Sequence, residues 1–215
     1  MQYCTKNNII YTYYEVVPEI EHRPAKEYSQ ESLIELCAKS WLNHGWELKI
    51  ISEKDALSHP LYNEYSTIIK TFPSINPSSY DYHCYMRWLA MANIGGGVMI
   101  DYDVINNTFQ EDINFFDFTE LTIYQGHVPC VVSGRSEDYF NMLKSFMVLK
   151  PIDIHLINNK EHTSDMIMLS NRKTDYKSLN LVANYPKIGK LIHFSSSSCN
   201  TLKTNKYKEI LNLIQ

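Results

Sequence analysis

"GGGVMIDYDVINN", residues 95–107, is the stretch whose reading decides the fold. Three of the chain's seven glycines stand side by side, an apolar run follows, and then come two aspartates one residue apart. If "GVMIDYDVI" is a single strand, Asp101 and Asp103 are i and i+2 and aim their carboxylates to one side at its C-terminal end. That end is where open α/β sheets bind ligands. Two like charges so close raise each other's pKa unless a cation lies between them. A hard divalent ion such as manganese or magnesium suits an all-oxygen pair. The same ion could bridge two phosphate oxygens and stabilise a diphosphate as it leaves. Glycines just before the strand permit a sharp helix-to-strand turn and close backbone packing. Asp-x-Asp also arises by chance, and paired carboxylates at a strand end can be plain solvated surface.

Working outward, "SYDYHCYMRWLAMANI" reads as a helix ended by Gly95. Upstream, "NNIIYTYYEVVP" is a strand stopped by Pro18, and "EIEHRPAKEYSQ" is a polar loop. "SQESLIELCAKSWLNHG" is a helix with Leu33, Leu36, Cys37, Ser40 and Trp41 on one face, Ser29 or Ser32 as its cap and Gly45 at its end. "WELKIIS" is a second strand, and "EKDALSHPLYNEYSTIIK" a short helix interrupted by Pro60. Strand, helix, strand, helix, strand is the α/β pattern of a sheet with crossover helices. Downstream, "ELTIYQGHVPCVVSG" reads as two short strands, "SEDYFNMLKSFMVL" as a helix, "DMIMLS" as helix or strand, "GKLIHFS" as a strand and "NKYKEILNLI" as a terminal helix. "SSSS" at 195–198 reads as a turn, and no domain boundary is visible.

With 44% hydrophobic residues, 20% charged residues and a net charge of -4, the 215-residue chain suits a globular domain with a real core. The charge argues against a nucleic-acid or anionic-membrane surface. Five scattered cysteines, odd in number and without a C-x-x-C pair, point to reduced thiols and a cytoplasmic setting. No run approaches the ~20 apolar residues of a membrane span.

"YMRWLAMANIGGGVMIDYDV" resembles the DXD segment of glycosyltransferases of the "sugar-binding region containing DXD" type, akin to glycosyltransferase family 32. "SWLNHGWELKIISEKDALSHPLY", and the shorter "VPCVVSG", "SDMIML" and "LIHFS", resemble a microbial and viral subset in the same order. The resemblance implies a GT-A fold: a Rossmann-like, mixed but mostly parallel central sheet flanked by helices in a single domain over 1–215. Its nucleotide-binding half would span about 1–107 and its acceptor half about 108–215. It implies a nucleotide-sugar donor, most often a UDP-sugar such as UDP-glucose, a manganese or magnesium ion, and a glycan or glycoconjugate acceptor, with retention at the anomeric carbon. If the protein is viral, the setting is the host cytoplasm.

Residue by residue, the resemblance has Asp101 touch donor hydroxyls, Asp103 ligate the metal, and His193 complete the metal site. Arg87 would pair with a carboxylate or the donor, Asp81 would contact the donor, and Tyr102 lies within the donor-binding motif. Tyr11, Tyr13 and Tyr14 end the first strand where such enzymes hold the base, and Tyr13 is the one expected in contact. Asp165 would orient the acceptor or act as general base, although its place before an apolar run also suits a helix N-cap region. His193 can equally be a packed strand-end histidine, and Arg87 a helix-surface arginine. Trp41 and Trp46 read as core. Two other classes compete. One is a haloacid-dehalogenase-type phosphatase with Asp101 as nucleophile, and the other a non-catalytic nucleotide-sugar binding domain.

Overall fold

The computed structural model describes residues 8–17, 28–76 and 78–215. Most of the polar loop read at 19–30, together with Pro18 and Cys4, lies outside the described residues. The first half alternates as the sequence implies: β1 (Ile9–Tyr13), α1 (Gln30–Leu42), β2 (Glu47–Ile51), α2 (Tyr62–Ile69), α3 (Ser78–Asn93) and β3 (Gly96–Ile100). Ser29 caps α1, its hydroxyl accepting the Ser32 N–H at 3.2 Å, and Gly45 follows with φ +79. After β3 come β4 (Val104–Asn106), β5 (Thr122–Ile123), β6 (Val131–Arg135), α4 (Ser136–Met147), α5 (Pro151–Asn158) and α6 (Asp165–Ser170). The chain continues through β7 (Lys177–Ser178), β8 (Val182–Asn184), β9 (Leu191–His193), α7 (Ser196–Leu202) and α8 (Lys206–Ile214).

The protein is mixed α/β. A six-stranded sheet has the order β2-β1-β3-β6-β5-β7, and a three-stranded sheet the order β4-β9-β8. In the larger sheet β1 runs parallel to β2 and β3, β5 runs parallel to β7, and β6 opposes both β3 and β5. The larger sheet is therefore mixed, with β6 as its one reversed strand. Its two faces are apolar by strand alternation. Met99, Val132 and Ile123 face the layer of α2, α3, α4 and α6, together with Trp88, Tyr139 and Phe146. Val98, Ile100, Val131 and Tyr124 face the layer of α1, α8 and the smaller sheet. Trp41 and Trp46 are buried there edge to face at 5.6 Å, as core residues.

A buried ion pair ties α5 to α6. Arg172 donates to Asp153 Oδ2 at 2.6 Å, with both side chains fully buried, and its remaining N–H groups reach the Met168 and Ser145 carbonyls. Burial pushes the Asp153 carboxyl up, but the Arg172 hydrogen bond and charge, with the Lys150 N–H and the Asn171 amide, together outweigh it and leave the group below its ordinary value. A depressed folded-state pKa contributes stability that is fully present above the unfolded value of about 3.9 and is lost as pH falls through the folded one. Asp153→Asn is expected to cost about 3–5 kcal/mol at neutral pH, because it leaves the buried Arg172 guanidinium without its counter-charge. The difference from wild type should begin to narrow near about pH 4 and close only below the depressed folded value. Urea titrations at several pH values measure it; a pH-independent difference would assign the loss to packing instead.

Two local readings need correction. The expected single strand over 97–105 is two strands separated by a turn at 101–103. The Asp101 N–H still bonds the Cys130 carbonyl at 2.8 Å, but the Val104 N–H folds back to the Asp101 carbonyl at 2.9 Å. β4 then leaves the larger sheet to pair antiparallel with β9. The two aspartates therefore face one site because of a turn and not because of strand alternation. "SSSS" is not a turn: Ser195 caps α7, which runs through the other three serines. Helix α5 and strands β7 and β8 have no counterpart in the sequence reading.

Candidate functional site

The C-terminal end of β3 and the turn after it carry the candidate site. Carboxylate oxygens of Asp101 and Asp103 and a ring nitrogen of His193 lie within 4.8 Å of one another. β9 delivers His193 by pairing it with Val104, and the Phe194 N–H bonds the Asp103 carbonyl at 2.9 Å. Residues ninety positions apart are thereby locked in register. His193 Nδ1 lies 2.7 Å from Gln125 Oε1, which has no proton to give, so Nδ1 is the donor. The Cys130 thiol donates to the same oxygen at 3.0 Å. Nε2 is left facing Asp103 Oδ1 at 3.5 Å. A ring fixed through one nitrogen with the other turned to carboxylates is the arrangement that orients a metal-ligating histidine.

Two cations serve the two aspartates. Arg87 on α3 donates from Nη1 to Asp101 Oδ1 at 2.6 Å, and from Nε and Nη2 to Asp165 Oδ2 at 3.1 and 2.6 Å. Trp88 Nε1 adds a third donor to that Asp165 oxygen at 3.0 Å. Lys206, the first residue of α8, donates to Asp103 Oδ2 at 2.7 Å. Burial pushes the Asp101 carboxyl up, the Arg87 guanidinium only partly offsets this, and the Asp103 charge adds to it. Burial acts the same way on Asp103, but Lys206 and His193 outweigh it and hold the carboxyl below its usual range. The two neighbours are thus driven apart, with Asp103 the more firmly ionised.

The remaining residues singled out in the sequence fall in three places. Asp165 is buried at the start of α6, behind its cap Ser164, and its carboxylate is engaged by Arg87 and Trp88. Asp81 is buried on α3 and holds the 74–76 loop, accepting from the Ser74 hydroxyl and the Asn76 amide and lying 3.6 Å from His162. Tyr11 and Tyr13 lean on the apolar layer under α3, and the Tyr13 hydroxyl meets His83 Nδ1 at 3.3 Å. Tyr14 turns the other way, donating to Glu31 at 2.6 Å and meeting Tyr102 edge to face at 6.1 Å. Tyr102 in turn donates to Gln30. Of the three tyrosines ending β1, Tyr14 is therefore the one that adjoins the aspartate turn.

Gln125, Trp88 and Lys206 went unread in the sequence. Gln125 carries no sequence signal. Lys206 carries a faint one, since a lysine in the first turn of a helix opposes the helix dipole and calls for a local carboxylate.

A mixed α/β protein with two acidic groups and an imidazole gathered at the carboxyl end of a parallel strand is the class these features define. The chain belongs to a family described as a domain of unknown function (DUF8765), matching it across residues 3–212. No curated protein and no solved structure gave a match to the chain. Among the described residues no helix is long and apolar enough to cross a membrane.

Proposed function

We propose that this protein is a metal-dependent glycosyltransferase of GT-A type that takes a sugar from a nucleotide-sugar, such as a UDP-sugar, to an acceptor hydroxyl. One observation carries this: Asp101, Asp103 and His193 converge within 4.8 Å at the C-terminal edge of β3, with the imidazole pre-oriented by Gln125. Two carboxylates and one neutral imidazole suit manganese or magnesium, and manganese the better. When bound there, such an ion supplies charge that offsets the departing diphosphate. Arg87 holds Asp101 at a fixed angle from the helix behind it. Tyr14 and Tyr102 offer aromatic edges beside the turn, where a base can pack.

Retention at the anomeric carbon also fits. An inverting enzyme needs a free carboxylate as general base. Asp101 and Asp165 are paired with Arg87, and Asp103 with Lys206, so none of the three is poised for that task. Arg87 and Asp165 then act as positioning residues, not as acid or base. A haloacid-dehalogenase-type phosphatase is the weaker reading, because Arg87 withdraws the electron pair that Asp101 would need as nucleophile. A non-catalytic nucleotide-sugar binding domain shares the site but not the turnover.

Thermal unfolding with UDP tests the proposal. At a hundred times its dissociation constant a ligand adds about 2.7 kcal/mol. In a chain of this size that raises the Tm by roughly 5–10 °C. The rise is expected with UDP and Mn2+ together, and not with UDP and EDTA. Asp103→Ala and Asp101→Ala should each abolish it while leaving a cooperative transition. UDP release from a UDP-sugar separates a transferase from a silent binder. Equal stabilisation with and without metal, or none from any nucleotide, would dispose of the assignment.

A further inference from the structure

We infer that Lys206 is a built-in counter-ion that closes the cation site in the ligand-free protein, and that it exchanges its partner from Asp103 to the ligand's diphosphate when metal and nucleotide enter. The inference rests on the metal-site reading above and adds a residue to it.

Lys206 is placed against expectation twice. Lysine is almost never buried unless paired, yet its side chain is 7% exposed. It is also the first residue of α8, where the helix dipole disfavours a cation. What repays both costs is Asp103, met at 2.7 Å, with the Ser196 hydroxyl of α7 at 3.2 Å. The ammonium takes Asp103 Oδ2, an oxygen on the carboxylate that the cation would share with Asp101 and His193. The ammonium holds Oδ2 while His193 Nε2 faces Oδ1, so lysine and metal would draw on the two oxygens of one carboxylate and repel each other there.

The local charge balance favours exchange. Asp101, Asp103 and Asp165 face Arg87 and Lys206, so these five side chains together carry one net negative charge. A divalent ion alone turns that balance positive and frees the ammonium. A nucleoside diphosphate then brings the anion that the ammonium can meet. The lysine sits on a flexible four-carbon stem, and its charge is a compact point that does not require the fixed fork of an arginine. A short link of Lys203, Thr204 and Asn205 joins α7 to α8, with Lys203 left-handed at φ 55, so the lysine is offered from the junction of two terminal helices.

Lysine exchange predicts opposite changes in two affinities, which a purely structural lysine does not. Lys206→Met keeps the apolar stem and removes the charge. By calorimetry with Mn2+ alone, Lys206→Met should bind about tenfold tighter than wild type or more. With Mn2+ saturating, UDP should bind it about tenfold weaker or more. Lys206→Arg should stay within a few fold of wild type for Mn2+. If Lys206→Met does not fold, Ser196→Ala removes the second acceptor without touching α8, and should tighten Mn2+ binding in the same direction by a smaller factor. Metal binding that appears in Lys206→Met but is immeasurable in wild type supports the exchange. Equal Mn2+ affinity in wild type and variant overturns it and leaves the metal site standing. No Mn2+ binding by either overturns both.

Discussion

Arg87→Leu is expected to lower stability by about 3–5 kcal/mol, the range for removing one partner of a buried ion pair. The arginine is 8% exposed and Asp165 3% exposed, so neither charge has solvent to fall back on. Deleting the guanidinium strips Asp165 Oδ2 of two of its three donors and leaves Trp88 Nε1 alone with a buried carboxylate. It also removes the 2.6 Å bond that fixes Asp101. In a chain of this length the Tm should fall by roughly 6–20 °C. Leucine fills the space of the stem, so the loss reflects orphaned charge more than a cavity. Arg87→Leu combined with Asp165→Asn should recover part of it, because the second change removes the stranded charge. This non-additivity is measured by a double-mutant cycle in urea. A single-variant loss below about 1 kcal/mol, typical of an exposed pair, would mean that water reaches the cluster.

The same cluster shows which parts of a site can be read along a chain. Asp101 and Asp103 stand two residues apart after an apolar run, so local spacing brings them forward, whereas Arg87 comes forward through the resemblance. His193 was legible only through resemblance, and its geometry depends on β4 leaving the main sheet for β9. Period-two reasoning failed at Asp101–Asp103 because the strand's partners change there: β6 pairs through Ile100, and the smaller sheet takes over at Val104. Gln125 and Lys206 reach the site from segments far from residues 101–103, and nothing in their immediate neighbours records those contacts. The serine run misled by composition. Four serines read as a turn, yet Ser195 accepts the Ser198 N–H at 3.2 Å and so starts a helix. The alternation of strands and helices in the first half was legible because its strands are rich in β-branched and aromatic residues and its helices are bounded by Ser29, Gly45 and Gly95. β7, at two residues, is too short to leave a pattern.

Gly96→Ala should be the most damaging of the glycine-to-alanine changes, exceeding about 4 kcal/mol or preventing folding outright, a size that signals a specific steric cause. The three glycines that open β3 all have positive φ, at +104, +82 and +130, which side-chain-bearing residues rarely adopt. They differ in what surrounds them. A Cβ on Gly95 meets nothing within 4 Å, so Gly95→Ala costs only backbone strain, about 1–3 kcal/mol. A Cβ on Gly97 lands 2.9 Å from the Tyr11 ring, a side chain that can shift. A Cβ on Gly96 lands 2.5 Å from the Arg135 carbonyl carbon and the Ser136 nitrogen, and 2.6 Å from the Gly134 carbonyl oxygen. Those are backbone atoms at the junction of β6 and α4, and β6 is the strand that holds β3 in register through Ile100. Relief of the clash must therefore open the β3–β6 pairing that ends one residue before Asp101. Glycine at 96 allows the reversed strand to approach, and that approach places the acidic turn. Thermal unfolding of the three alanine variants should rank them Gly96 far below Gly97 and Gly95. A Gly96→Ala protein melting within about 2 °C of Gly95→Ala, less than the shift expected for 1 kcal/mol in a chain of this size, would show that β6 yields easily and that close backbone approach does not set the site.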